Sequence, residues 1–168
     1  IGTVMLGPAL PLMAARWQLA DSGLGALFVM FFAGQFCGSW LATPRLRLSL
    51  MLGAWVSAWA LVLLAFAGVA TAHLALFCVG LGLGAGLTAG NVLLGTAQSG
   101  GKDRPSSGRG SSRSRLLALL NVCWGVGAIS CAPLLNTSLH LSGLHAARGQ
   151  FFFLGLALIP IGVFLARR

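Results

Sequence analysis

Residues 80–98 read Gly-Leu-Gly-Leu-Gly-Ala-Gly-Leu-Thr-Ala-Gly-Asn-Val-Leu-Leu-Gly-Thr-Ala-Gln, and this stretch decides how the chain is understood. It is the centre of a long hydrophobic segment, yet it is crowded with glycine and carries polar groups at helical spacing. A lipid anchor needs neither feature. A helix that packs closely on other helices and also lines a cavity needs both.

At about 100° per residue, Gly84, Thr88, Asn91, Gly95 and Gln98 fall within one arc of roughly 80°. Gly82 and Gly86 point almost the opposite way, with Gly90 nearby. The segment is therefore expected to have a small-residue packing face, Gly82, Gly86 and Gly90, and a separate polar stripe. The amide of Asn91 has two donors and an acceptor, which are costly to leave unpaired in hydrocarbon. It must face another helix or a wet cavity. An interhelical bond and a solute contact both satisfy that demand.

The rest of the chain agrees with a membrane setting. Of 168 residues, 57% are hydrophobic and 8% charged, with a mean hydropathy of +0.90. A soluble domain carries roughly a quarter charged residues, so too few charges are present to cover a water-facing surface. Apolar runs and their interruptions predict six spans, at about 1–15, 23–43, 49–70, 74–97, 116–139 and 149–166, the first truncated. The expected fold is an all-α, multi-pass lobe. Ile1 in place of Met suggests a start partway into a longer protein.

Charge gives the orientation. Arg45, Arg47, Lys102, Arg104, Arg109, Arg113, Arg115, Arg167 and Arg168 fall on one side of the predicted spans, and only Arg16 and Arg148 on the other. Positive charge collects in cytoplasmic loops, so the first side is inside. This bias accounts for the net charge of +9 without nucleic acid. The Gly/Ser/Arg segment 98–115 is expected to be a disordered, basic cytoplasmic loop that can attract anionic lipid.

Other candidate residues follow the same logic. In the second span Gln35 and Ser39 lie one turn apart, and Gly34 with Gly38 forms a close-packing pair. In the fifth, Asn121 shares a face with Gly125, and Trp124 lies about 60° away. Trp17 and Trp40 suit interfacial anchoring. Trp55 and Trp59 read as packing residues, and the four cysteines as small apolar core residues. His73, His140 and His145 fall at the outer surface, with His73 marking a short turn.

Absences narrow the function. No Asp, Glu, Lys or Arg lies deep inside a span, so this chain supplies no carboxylate proton carrier. Neither a Gly-x-Ser-Gly motif with an intramembrane histidine nor a phosphate-binding loop is present. No enzyme activity, cofactor or metal site is expected.

Taken in order, these features resemble the amino-terminal six-helix lobe of a major facilitator superfamily transporter. Ala9-Leu10-Pro11-Leu12-Met13-Ala14 before Gln18-Leu19-Ala20-Asp21-Ser22-Gly23 is similar to the family's end of helix 1 and start of helix 2. Gly38 to Arg47 occupies the place of its helix 2–3 loop motif, keeping Gly38, Arg45 and Arg47 but no aspartate. Within the superfamily, Thr88-Ala89-Gly90-Asn91 and Leu120-Asn121, then Gly125, Gly127-Ala128-Ile129 and Pro133, resemble fucose-permease-like sugar transporters. Leu87 stands where those carriers have a glutamate associated with proton coupling, and Val92 where they have a proline.

The resemblance implies two inverted three-helix repeats, a second six-helix lobe as partner, and alternating access around a site near the bilayer midplane. It implies transport of a small polar solute, such as a sugar, across a plasma or bacterial inner membrane. Asn91, Asn121, Gln35 and Thr88 would supply hydrogen bonds, and Trp124 an apolar face. The alternative is a non-transporting membrane protein that uses its helix faces for assembly or partner binding.

Overall fold

The computed structural model describes residues 2–42, 45–96 and 146–166, with 115, 118–119, 121–123, 125–131, 133 and 136–137 between them. The described residues form α1 (Gly2–Trp17), α2 (Asp21–Leu41), α3 (Leu46–Phe66) and α4 (Val69–Thr96), then a shorter apolar helix α5 (Asn121–Cys131) and finally α6 (Ala146–Ala166). Helices α2, α3, α4 and α6 are long and apolar enough to cross a membrane. The chain is an all-α, multi-pass integral membrane bundle. At 16 residues α1 falls short of a full span.

The helix ends follow local chemistry. Gln18 adopts a φ of +49° after α1, and Leu19 N–H then donates to Ala14 O at 3.1 Å. This is a Schellman-type stop. Asp21 opens α2, where its charge suits the helix dipole. Helix α2 closes three residues before Pro44, and Ser49 Oγ donates to Ala42 O at 3.4 Å across the turn into α3.

The expected fourth span begins earlier than the sequence reading placed it. Ala67-Gly68 alone separates α3 from α4, so the break falls at the glycine and not at His73. His73 instead lies inside α4, its Nδ1 at 2.9 Å from Val69 O. So short a connection makes the two helices antiparallel neighbours. Arg16 reaches across from α1, its Nη2 donating to Ala65 O and Ala67 O at 3.2 Å each. There it satisfies carbonyls that the end of α3 leaves open and complements that helix's negative pole. Burial, and then the charge of Arg148, holds the Arg16 guanidinium below its ordinary value.

Packing order differs from chain order. Helix α4 lies between α2 and α3, α3 also packs along α6, and α1 touches α4 and α6. The core lies along this row, with Leu27 and Phe31 from α2, Leu61 and Leu64 from α3, and Ala72, Leu76 and Val79 from α4. Met13, Cys131 and Phe151 join it from α1, α5 and α6. Cys131 is the buried cysteine; Cys37 and Cys78 are half-buried and Cys123 is exposed. Phe32, Phe36, Trp40, Trp59, Phe66 and Phe153 are exposed by half or more, as a lipid-facing surface requires.

The basic segment expected at 98–115 lies outside the described residues except for Arg115, which is exposed. Arg167 and Arg168 also lie outside them.

Candidate functional site

Helix α4 meets its two neighbours through glycine. A Cβ on Gly34 of α2 would strike Phe77 O, and one on Gly38 would strike Leu81 O. In return, a Cβ on Gly80 would strike Phe31 O, and one on Gly84 would strike Gln35 O. Pairs four residues apart on each helix thus interlock, with α2 and α4 running in the same direction. Ser39 Oγ adds a hydrogen bond to Gly84 O at 3.4 Å. On the α3 side, a Cβ on Gly82 would meet Ser57 Oγ and Gly53 O. No larger residue fits these positions unless backbone moves.

Further along the same face the contact opens. A Cβ on Gly86 would meet nothing within 4 Å, and one on Gly90 only Leu50 Cδ1 at 3.7 Å. The backbone of α3 still comes close at Gly86, where a Cβ on Gly53 would lie 3.1 Å from Gly86 N, but the Cβ side of Gly86 and of Gly90 borders space. That space is a cavity of about 270 Å³ between α3, α4 and α6. Gly53, Ser57, Gly82, Gly86, Gly90 and Asn91 line it, together with Leu50, Ala54, Leu83, Leu87, Leu158, Ile161 and Leu165.

Of the polar residues singled out from sequence, Asn91 is exposed on α4 and belongs to this cavity's rim. Thr88, half-buried, is not part of it. Gln35 is half-buried on α2, with its backbone against Gly84. Asn121 is exposed on α5. Trp124 and Gln98 lie outside the described residues. Neither the Asn91 nor the Gln35 side chain has a hydrogen-bond partner among the described residues.

Depth distinguishes these groups. Helix α4 has 28 residues, about 42 Å at the α-helical rise, so it overruns a hydrocarbon core of about 30 Å. Asn91 lies five residues before Thr96, or about 8 Å from that end. It is about 13 Å past the middle of the helix. Ser57, by contrast, is one residue past the middle of α3. It is 1% exposed, and its Oγ has no hydrogen-bond partner among the described residues.

Sequence reasoning passed over Ser57, Gly53 and the packing role of Gly80 and Gly84. The signal for the first two was a small-residue pair four apart, Gly53 and Ser57, between the tryptophans that drew attention to α3. A second apolar groove, about 640 Å³, runs along α3 beside Trp55, Trp59, Leu63, Phe66 and Cys78. No group of three or more potential metal ligands occurs among the described residues. Comparisons with known protein families, with curated proteins and with solved structures find no match for this chain.

Proposed function

We propose that this chain is one lobe of a secondary transporter that moves a small polar solute, with a sugar as the leading class, by alternating access against a second six-helix lobe. The observation that carries this reading is the amide of Asn91, which has no hydrogen-bond partner among the described residues. It lies exposed on an apolar helix between Leu87 and Val92, themselves 40% and 39% exposed. Facing lipid, that amide would pay the full cost of losing water. Facing an aqueous path between two lobes, it costs little and can bind a hydroxylated solute.

Gln35, Thr88 and Asn121 extend the set of donors and acceptors in this reading, and Trp124 supplies a flat apolar face. The superfamily resemblance supports the two inverted three-helix repeats and the second lobe. The shallow position of Asn91 makes it a contact near the cytoplasmic mouth rather than the central ligand. Leu87, in place of an acid, argues for transport that does not take its proton from this helix.

Uptake by the full-length protein in proteoliposomes, across a panel of labelled sugars, tests the proposal. Asn91→Ala should reduce initial uptake by about tenfold, the worth of one buried hydrogen bond to a polar ligand, with helicity unchanged. Undiminished uptake by Asn91→Ala and Asn121→Ala together would remove the assignment.

The second reading, assembly without transport, draws support from the glycine interlock of α2 with α4, which produces a rigid pair. A protein that moves no solute from the panel yet remains a stable oligomer would favour it.

A further inference from the structure

Arg16 and Arg148, the two cations that charge patterning sets on the side away from the cytoplasm, come together in the fold. Arg16 stands at the end of α1 and donates through Nη2 to Ala65 O and Ala67 O, on either side of Phe66. The Phe66 ring lies 6.1 Å from that of Phe152, one turn along α6 from Arg148. The end of α1, the end of α3 and the start of α6 therefore share one corner of the bundle. The charge of Arg148 is felt at Arg16 there.

Nothing described neutralises this pair. Asp21 and Asp103 are the only acids in the chain, and no carboxylate pairs with either arginine among the described residues. The bonds to Ala65 and Ala67 occupy Nη2, and the N–H groups on Nε and Nη1 of Arg16 meet no acceptor among those residues. Arg148 is exposed and makes no hydrogen bond among them. Positive charge is disfavoured on this side of a membrane, and like charges repel. Gathering both cations at one corner is unfavourable unless an anion joins them.

The surroundings say which anion. The Arg16 guanidinium lies 5.3 Å from the centre of the Trp17 ring, a cation–π contact that helps to fix it. Tryptophan prefers the depth of lipid headgroups. Phe66 and Phe153, each 70% exposed, give the same corner an apolar flank. A free anion would be held weakly at so open a place, because salt screens exposed charge. A lipid phosphate is kept at this depth by its own acyl chains, which raises its effective concentration.

We propose that Arg16 and Arg148 form a binding site for the phosphate of an anionic phospholipid headgroup. Arg16 presents a guanidinium already held by α3, and Arg148 reaches the same phosphate from α6. The planar fork of arginine matches phosphate oxygens two at a time. The bound lipid ties the ends of α1 and α6 to the turn between α3 and α4. This inference does not depend on the chain moving a solute.

Photolabelling provides the test. The full chain in nanodiscs is irradiated with phosphatidylglycerol or phosphatidylcholine carrying a diazirine near the head of one acyl chain, and adducts are located by peptide mass spectrometry. On the peptides containing Trp17 and Phe152, phosphatidylglycerol should label about tenfold more than phosphatidylcholine, whose own ammonium the two arginines repel. Arg148→Gln, at an exposed residue, should reduce that preference about fivefold, and Arg148→Glu should abolish it. Arg16→Gln should act like Arg148→Gln, with thermal melts registering the lost bonds to Ala65 and Ala67. Arg47→Gln, at the opposite end of α3, should leave the preference unchanged. Equal labelling by the two lipids in the native chain overturns the proposal, and so does a preference that survives Arg148→Gln undiminished. Displacement of the label by inorganic phosphate at fixed ionic strength overturns it in favour of a soluble anion.

Discussion

On one side of α4, Gly80 and Gly84 have the backbone of α2 where a side chain would be. On the other, Gly86 has open space and Gly90 only the tip of Leu50. The residues are chemically identical and sit on one helix within three turns of each other. What differs is the neighbour: α2 presents Gly34 and Gly38 to the faces of Gly80 and Gly84, whereas α3 brings Gly53 against the backbone of Gly82 and Gly86 and leaves the Cβ side of Gly86 open. Glycine spacing alone therefore does not define an interface. A seam needs small residues on both helices, because the attraction between membrane helices comes from close packing and not from water.

The largest expected effect tests the seam. Gly84→Ala puts a methyl group onto Gln35 O, with Gln35 C and Cα at 2.9 Å. No rotamer change can relieve a clash with backbone, so the variant should lose about 2 to 3 kcal/mol of stability. Gly84→Leu should prevent α2 from docking at all. SDS titration in mixed micelles, followed by tryptophan fluorescence, measures the loss. A Gly84→Ala variant as stable as the native chain would mean that α2 and α4 do not approach this closely.

Gly82 occupies the boundary between the two regimes and should show an intermediate cost. Its Cβ would meet Ser57 Oγ, which can rotate, but also Gly53 O at 2.5 Å and Ser57 N at 2.8 Å, which cannot. Gly82→Ala should cost about 1 to 2 kcal/mol. Adding Ser57→Ala should recover only part of that, since the backbone contacts persist. Full recovery would show that the hydroxyl alone sets the distance between α3 and α4.

These positions also explain how far the sequence could be read. Apolar length and loop charge suffice to recognise a multi-pass helical bundle. A histidine stands out in an apolar run, so sequence alone places the α3–α4 turn at His73, whereas Gly68 does the breaking. Helix α4 contains two interleaved small-residue series, 80/84 and 82/86/90, and nothing in α4 itself says which one is covered. That choice belongs to α2, a partner distant in sequence. Asn91 was legible because an amide is conspicuous among leucines. Ser57 was not, because a serine that bonds its own helix is unremarkable, and only the geometry reveals that this one does not.

A third test turns to the opposite use of glycine, conformation instead of space. Gln18 holds a left-handed φ of +49° at the end of α1, where an L side chain is strained and glycine is at ease. Gln18→Gly should raise stability by about 0.5 to 1 kcal/mol, after allowance for glycine's greater freedom in the unfolded chain. Arg16, two residues earlier, keeps its bonds to Ala65 O and Ala67 O in this variant, so the gain reports the turn alone. A loss would mean that the Gln18 side chain contributes a contact that outweighs the strain.

The smallest effect is the most discriminating. Gly86→Ala adds a methyl group where nothing lies within 4 Å and removes glycine's entropic cost inside a helix. It should stabilise the protein by about 0.5 to 1 kcal/mol, opposite in sign to Gly84→Ala two residues away. The sign matters more than the size. If both substitutions destabilise, α3 and α6 close onto α4 below Gly82 and the cavity is not a standing feature of the fold. If Gly86→Ala stabilises, glycine at that position gives away helix stability without any packing return. The open space it leaves between α3, α4 and α6 is then what the residue provides.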